Sequence, residues 1–333
     1  MKNWRLWLGI CVSALCLYLA ARGLDLASLL QALQRVNYWL LVPALGLVVL
    51  GLWLRAVRWR LLLQSSGGPK LARLYNLTSI GYLFNSVLPL RAGDLLRSYL
   101  LAELEKLDVA RVLSTVLLER IADILIILFL LLILIPFVVL PDALVGPVIG
   151  VAVVAILAAI LLGWVAARGQ RSLQWAEGLL RRCALLNRPW LRRSLAAALE
   201  GVSALGSWGR ALRLGVWSLA IWLVATLQLY VVMWAAGLRL PWTAALAVIC
   251  FTSLGMTVPS SPGYVGVYEY LTVLALGLFN LSRESALGYA LLAHAVGYVG
   301  FVVPGVIAVG AEGYSYASLN ARLRQAEDHT LPT

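Results

Sequence analysis

Leu144 to Ala166 is an unbroken apolar run without a single charge. A stretch of this kind, about 20 residues long, is what an α-helix needs to cross the ~30 Å hydrocarbon core of a bilayer. Lipid offers no partners to backbone N–H and C=O groups, so such runs must satisfy their own hydrogen bonds as helices. Comparable runs recur along the chain, and of its 333 residues 62% are hydrophobic and only 13% charged. Soluble domains hold roughly 45–50% apolar residues, so a water-soluble globule is excluded in favour of an all-α, multi-pass membrane helix bundle.

Six crossings are expected: Trp4 to Ala21, Tyr38 to Leu54, Val112 to Leu140, Leu144 to Ala166, Leu214 to Ala236 and Ser285 to Ala311. The first resembles a signal peptide, with Lys2 and Arg5 ahead of Leu6 to Leu19, but is read as a retained helix. Leu71 to Leu90 and Trp242 to Pro259 differ from the crossings. Asn76, Asn85 and Pro89 interrupt the one, and the other runs into Pro-Ser-Ser-Pro-Gly at Pro259 to Gly263, so both read as re-entrant half-helices.

The net charge of +12 is first a statement about topology. Lys2, Arg5, Arg55, Arg58, Arg60, Lys70, Arg73 and the nine arginines between Arg168 and Arg213 all fall on one side if there are six crossings. The positive-inside rule makes that side cytoplasmic, together with both termini, in the plasma or inner membrane. Because the basic residues lie between apolar spans and not along one soluble face, nucleic acid is excluded as a partner. The stretch 168–213, with Trp175 and several leucines among its arginines, reads as an interfacial amphipathic helix. It serves either as a topological anchor or as a surface that collects anionic lipid.

Pro89 laid on Pro259, and Leu107-Asp108 laid on Leu281-Ser282, give offsets of 170 and 174 residues. The layout is then one membrane domain over 1–333. Two crossings occupy 1–70, a first repeat 71–140, linker crossings with the basic stretch 141–236, a second repeat 242–311, and a cytoplasmic tail 312–333. The first unit enters from the cytoplasm and the second from outside, so the two are inverted repeats containing re-entrant half-helices.

The polar residues cluster at the two breaks. The first reads Asn85-Ser-Val-Leu-Pro-Leu-Arg-Ala-Gly-Asp94 and continues to Arg97. Irregular backbone at membrane depth must line a protein-enclosed cavity, and Arg91 and Arg97 bracket a helix start that already favours an anion. Two readings stay open: a phosphate cradle, or an internal Arg–Asp94 pairing. Glu119, Arg120 and Asp123 lie early in a long crossing, with the two acids at i,i+4; they are either functional intramembrane charges or interfacial groups that snorkel.

The second break holds Ser260, Ser261, Gly263 and Tyr268, then Glu269 inside an apolar helix. Glu269 reads as a partner for Arg91, Arg97 or Arg120, with proton carrier and structural acid as the other roles. His294 matches Arg120 in the repeat and titrates near neutral pH in its free form, or is a buried hydrogen-bonded side chain. The chain contains no P-loop, no GxSxG elbow and no paired metal-ligand spacing. Its four cysteines show no CxxC pairing, so no catalytic residue, cofactor or metal is expected.

Asn85 with Leu88-Pro89, Arg91-Ala-Gly-Asp94 through Arg97, Glu119-Arg120 to Asp123, and Ser261-Pro262-Gly263 through Gly266 to Glu269 together resemble the membrane domain shared by lysylphosphatidylglycerol synthases and related flippase-like proteins. At Asp94 the family often carries Glu. The resemblance implies translocation of a lipid. Its relatives are associated with aminoacylated phospholipids, polyprenyl-phosphate-linked sugars and hopanoids. In the full synthases a soluble aminoacyl-transferase domain follows the membrane part, whereas this sequence ends soon after Ala311, so a translocator and not an enzyme is expected. The expected function is movement of an anionic or phosphate-bearing lipid between leaflets. Its partners would be anionic membrane lipids and a lipid-linked substrate, and self-association is allowed. The rival is an intramembrane enzyme or an accessory subunit of a lipid-modification pathway that binds the phosphate without moving it.

Overall fold

The computed structural model describes residues 4–22, 25–63, 68–88, 92–138, 208–256 and 261–315, with parts of 145–160 and 317–323. Most of the expected crossing at Leu144 to Ala166, and of the basic stretch 168–213, lies outside the described residues. Among the described residues there is no strand. The helices are α1 (Trp4–Ala21), α2 (Leu26–Gln34), α3 (Leu41–Leu63), α4 (Leu71–Val87), α5 (Ala92–Glu105), α6 (Val109–Leu134), α7 (Trp208–Ala235), α8 (Trp242–Gly255), α9 (Val267–Gly277) and α10 (Arg283–Ala311).

Among the described residues four helical stretches are long and apolar enough to cross a membrane: Tyr38–Leu63, Val109–Phe137, Gly209–Ala235 and Arg283–Ala311. Their outer faces carry large apolar side chains that water would not tolerate in such numbers; Leu132 is 65% exposed and Ile307 66%. The expected end at Leu54 is a correction. The helix runs on to Leu63, because Arg55 and Arg58 do not leave the bundle as loop charges but turn inward, where Arg58 is fully buried.

α4 and α5 have 17 and 14 residues, and α8 and α9 have 14 and 11. At 1.5 Å per residue these are about 16–26 Å long, too short for any one of them to span the core alone. Each pair packs against itself on either side of a break. α4 and α5 cross at glycine: a Cβ on Gly93 would stand 1.9 Å from the Gly81 carbonyl oxygen. The backbones touch there, and no other residue fits.

The connections into the two long helices repeat in detail. Lys106 (φ 54°) and Asn280 (φ 56°) are both in the left-handed region. In each case the N–H of the leucine that follows reaches back five residues, Leu107 to the Ala102 carbonyl and Leu281 to that of Leu276. The next residue then caps the long helix, Asp108 for α6 and Ser282 for α10. A Schellman-type stop followed at once by an N-cap thus occurs at both places that align in the sequence.

Packing partners repeat as well. Exchange α3 with α7, α4 with α8, α5 with α9 and α6 with α10, and the main set of neighbours reproduces itself. α4 packs on α10 as α8 packs on α6, and α3 packs on α7. One buried apolar cluster joins Trp59, Leu77, Leu96 and Leu100 of α3 to α5 with Leu319 beyond α10. Another joins Leu131 of α6 to Met233, Val248 and Tyr289 of α7, α8 and α10. Part of the expected tail therefore docks on the first group, where Arg322 ion-pairs with Glu103. Gly93→Ala should force α4 and α5 apart at a cost of about 1–3 kcal/mol, as for overpacking of a tight core. A Gly93→Ala protein that melts in detergent at the wild-type temperature would contradict this crossing.

Candidate functional site

α3, α5 and α6 bring six charged side chains together. Asp94 and Arg97 stand one turn apart on α5, and Glu119, Arg120 and Asp123 share α6. The geometry is a closed alternation. Arg58 meets Glu119 at 3.4 Å, Glu119 meets Arg97 at 2.7 Å, and Arg97 meets Asp94 at 3.2 Å. Asp94 meets Arg120 at 2.9 Å, Arg120 meets Asp123 at 3.6 Å, and Asp123 returns to Arg58 at 2.5 Å. Three guanidiniums and three carboxylates cancel, which is the condition for burying them at all.

Neighbouring side chains hold the ring in place. The Arg97 guanidinium lies 4.7 Å over the Trp59 ring, and Trp59 donates its indole N–H to Thr115 Oγ1 at 3.0 Å. α7 contributes a polar face: Ser218 Oγ accepts from Arg58 at 2.9 Å, and Trp222 donates to Asp123 Oδ1 at 3.1 Å. Glu119 and Asp123 are 1% and 5% exposed, so these acids are buried ion-pair members and do not snorkel. Arg97 is enclosed between two carboxylates, so it is not the anion receiver expected from the sequence. Asp94, inside the first turn of α5, does balance arginine. Arg91 and Ser260 lie outside the described residues.

A cavity of about 240 Å3 opens between the two groups of helices. Asn85, Arg120, Gly263, Tyr268 and His294 of the expected site line it. So do Arg55, Tyr82, Trp222 and Gln228, which the sequence reading did not select. Arg55 has no ion-pair partner among the described residues. Its Nε donates to the Tyr82 hydroxyl at 2.6 Å and its Nη1 to the Gly51 carbonyl at 3.2 Å. Within the cavity wall the Nε2 of Gln228, the Nε of Arg120 and the Oδ1 of Asn85 are buried without a hydrogen-bond partner. Buried donors without partners are rare and costly; here two of them belong to residues that line the same cavity as Arg55.

The opposite wall holds a separate pair. His294 Nδ1 lies 2.6 Å from Glu269 Oε1, and His294 Nε2 lies 2.9 Å from the Gly263 carbonyl. Glu269 Oε2 accepts from the Gly266 N–H at 2.6 Å. Among the described residues the partner of Glu269 is therefore histidine, not Arg97 or Arg120, because α9 presents the carboxylate to α10. Ser261 is engaged elsewhere: its N–H bonds Ser13 Oγ and its hydroxyl donates to the Val265 carbonyl. Gly266 (φ 90°) lets the chain enter α9 against Ser13, whose carbonyl oxygen would stand 2.2 Å from a Cβ.

Signals for the missed residues existed. Arg58 lies three residues after Arg55 and next to Trp59, which places it on a helix face. Ser218, Trp222 and Gln228 are polar or amphipathic residues inside an otherwise apolar crossing. Comparison with known families matches residues 6–305 to the lysylphosphatidylglycerol synthase TM region. Comparison with curated proteins gives no match. Arg58→Ala should cost about 3–5 kcal/mol by stranding buried carboxylates. Combining it with Asp123→Ala should recover part of that loss, and additive losses in denaturant unfolding would show that the two side chains are not coupled.

Proposed function

Since the chain belongs to the lysylphosphatidylglycerol synthase TM-region family, we propose that it moves an anionic, phosphate-bearing lipid between the leaflets of the cell membrane. It is a membrane protein of a family related to lipid modification or transport, and within that range the cavity favours transport. The observation that carries this reading is that Arg55, which has no ion-pair partner among the described residues, lines one cavity together with the unpartnered donors of Gln228 and Arg120. A phosphate would accept from all three, and charge-assisted hydrogen bonds of this kind are the strong ones.

The ring behind Arg120 is neutral and contributes position, not net charge. An anion would therefore meet a single excess positive charge, enough to draw a phosphodiester out of the headgroup region without holding it irreversibly. A cavity of 240 Å3 suits a headgroup and not a whole two-chain lipid, so the acyl chains would stay in the bilayer. The two groups of helices would act as inverted repeats, α4–α5 and α8–α9 as re-entrant pairs, and rocking one group against the other would expose the cavity alternately. Both termini would lie in the cytoplasm.

The rival reading, an enzyme or accessory subunit that binds the same phosphate, separates from transport in liposomes. Wild-type protein reconstituted with fluorescent phosphatidylglycerol should expose inner-leaflet label to an impermeant quencher. Arg55→Ala should slow this about 10- to 100-fold, the loss expected for one charge-assisted contact of about 1.5–3 kcal/mol. Undiminished movement by Arg55→Ala, with its fold intact, would remove Arg55 from the site. Phosphate-dependent lipid binding with no movement by the wild type would favour the rival.

A further inference from the structure

We infer that the Glu269–His294 pair carries a coupling proton, so that one anionic headgroup and one proton cross together; this rests on the transport reading above. The starting point is hydrogen-bond bookkeeping at His294. A carbonyl oxygen can only accept, so the 2.9 Å contact with Gly263 requires a hydrogen on Nε2. The 2.6 Å contact between Nδ1 and Glu269 Oε1 then requires one more proton between them. Without it two lone pairs would face each other at that distance. In this geometry the pair therefore holds a dissociable proton and has no net charge, whichever of the two atoms carries it.

The surrounding charges fix the consequence. From α3 Arg55 faces the same cavity, from α4 Tyr82, and from α6 Arg120. Tyr264, Tyr268 and Tyr298 line it from the second break, α9 and α10, with the Tyr268 ring 4.6 Å from that of His294. α7 and α8 contribute uncharged groups such as Gln228 and Thr252. From α1, Ser13 reaches Ser261. Arg120 is neutralised within the ring, so among the described residues Arg55 and the pair set the charge of the cavity.

Four states follow. With proton and no anion the cavity carries one positive charge, and with anion and no proton it carries one negative charge. With both, or with neither, it is neutral. A site that must change its exposure inside a low-dielectric membrane does so most readily when neutral, so the loaded and the empty deprotonated forms are the two that move. On loading, the pair takes a proton from water on one side and Arg55 receives the headgroup. On release both leave to the other side, and the empty site returns with Arg55 balanced by the pair. The stoichiometry is one to one and electroneutral.

The pair also reaches the moving parts. It ties the Gly263 turn to α10, and a Cβ on Gly263 would stand 3.1 Å from the Ser86 carbonyl at the end of α4. Loss of the proton leaves one hydrogen on the imidazole, which can serve the Glu269 contact or the Gly263 contact but not both, and so loosens the tie between α9, α10 and the turn that abuts the first group of helices. Proton and headgroup thus favour the same closed arrangement, and linkage requires each to raise the affinity for the other equally.

The test uses full-length protein in liposomes with fluorescent phosphatidylglycerol, a pH difference of one unit, and the membrane potential clamped at zero. Wild type should enrich the label about tenfold in the leaflet facing the alkaline side, the limit for one proton per lipid. Glu269→Gln and His294→Gln should lower that ratio to about one. A wild-type ratio near one with lipid still crossing would overturn the coupling and leave transport standing. No crossing by wild type and Arg55→Ala alike would overturn transport and the coupling with it. Independently of movement, phosphatidylglycerol added to wild type in weakly buffered detergent should draw up to about one proton from solution across a pH scan. Binding of phosphatidylglycerol without proton uptake at any pH would likewise refute the proposal.

Discussion

The closed ring of Arg58, Glu119, Arg97, Asp94, Arg120 and Asp123 is the constraint on which the rest of the structure depends. Six charges can be taken out of water only if each meets its opposite on both sides, and that alternation demands that α3, α5 and α6 approach at one level. The Gly81–Gly93 crossing follows from it, because α5 can deliver Arg97 and Asp94 to the ring only by lying directly on α4. Such a ring is not a cheap source of stability, since desolvation offsets most of its attraction. Its yield is positional: it fixes Arg120 at the edge of the cavity and engages Asp94, Glu119 and Asp123.

With those acids engaged, Arg55 has no ion-pair partner among the described residues, and the cavity carries a positive charge that belongs to the site and not to the fold. The second group of helices supplies what the first lacks. α7 adds Trp222 and Gln228, and the break before α9 adds the Gly263 carbonyl that orients His294. The cavity therefore has two chemically distinct walls, one cationic and rigid, the other able to gain or lose a proton and attached to a turn. The neighbour pattern that maps α3–α6 onto α7–α10 explains why such unlike walls face each other across similar architecture.

Much of the architecture was legible in the sequence because bilayer thickness and helix rise leave few choices. Trp4–Ala21 coincides with α1, and the short interrupted segments at Leu71 and Trp242 became α4 and α8. The Leu107-Asp108 and Leu281-Ser282 pairing marked two real helix starts. Asn85, Arg120, Tyr268 and His294 were readable as cavity residues because polar groups in apolar surroundings need a reason. Arg55 and Arg58 were not, since an arginine near the end of an apolar run reads the same whether it faces headgroups or the bundle interior. The partner that decides the matter for Arg58, Asp123, is 65 positions away. Gln228 was lost in a crossing whose composition is otherwise uniform, and the His294 partner of Glu269 could not be told from an arginine without the orientation of α9.

A phosphate-bearing lipid held by Arg55 and Gln228 is the claim that everything functional rests on, and it can be weighed directly. Native mass spectrometry of the protein released from phosphatidylglycerol-containing membranes reads retained lipid per chain. We expect wild type to keep one anionic phospholipid through the release, and Arg55→Ala with Gln228→Ala to lose it while remaining folded. Equal retention by the two proteins, or retention of zwitterionic and anionic lipid without preference, would contradict the site.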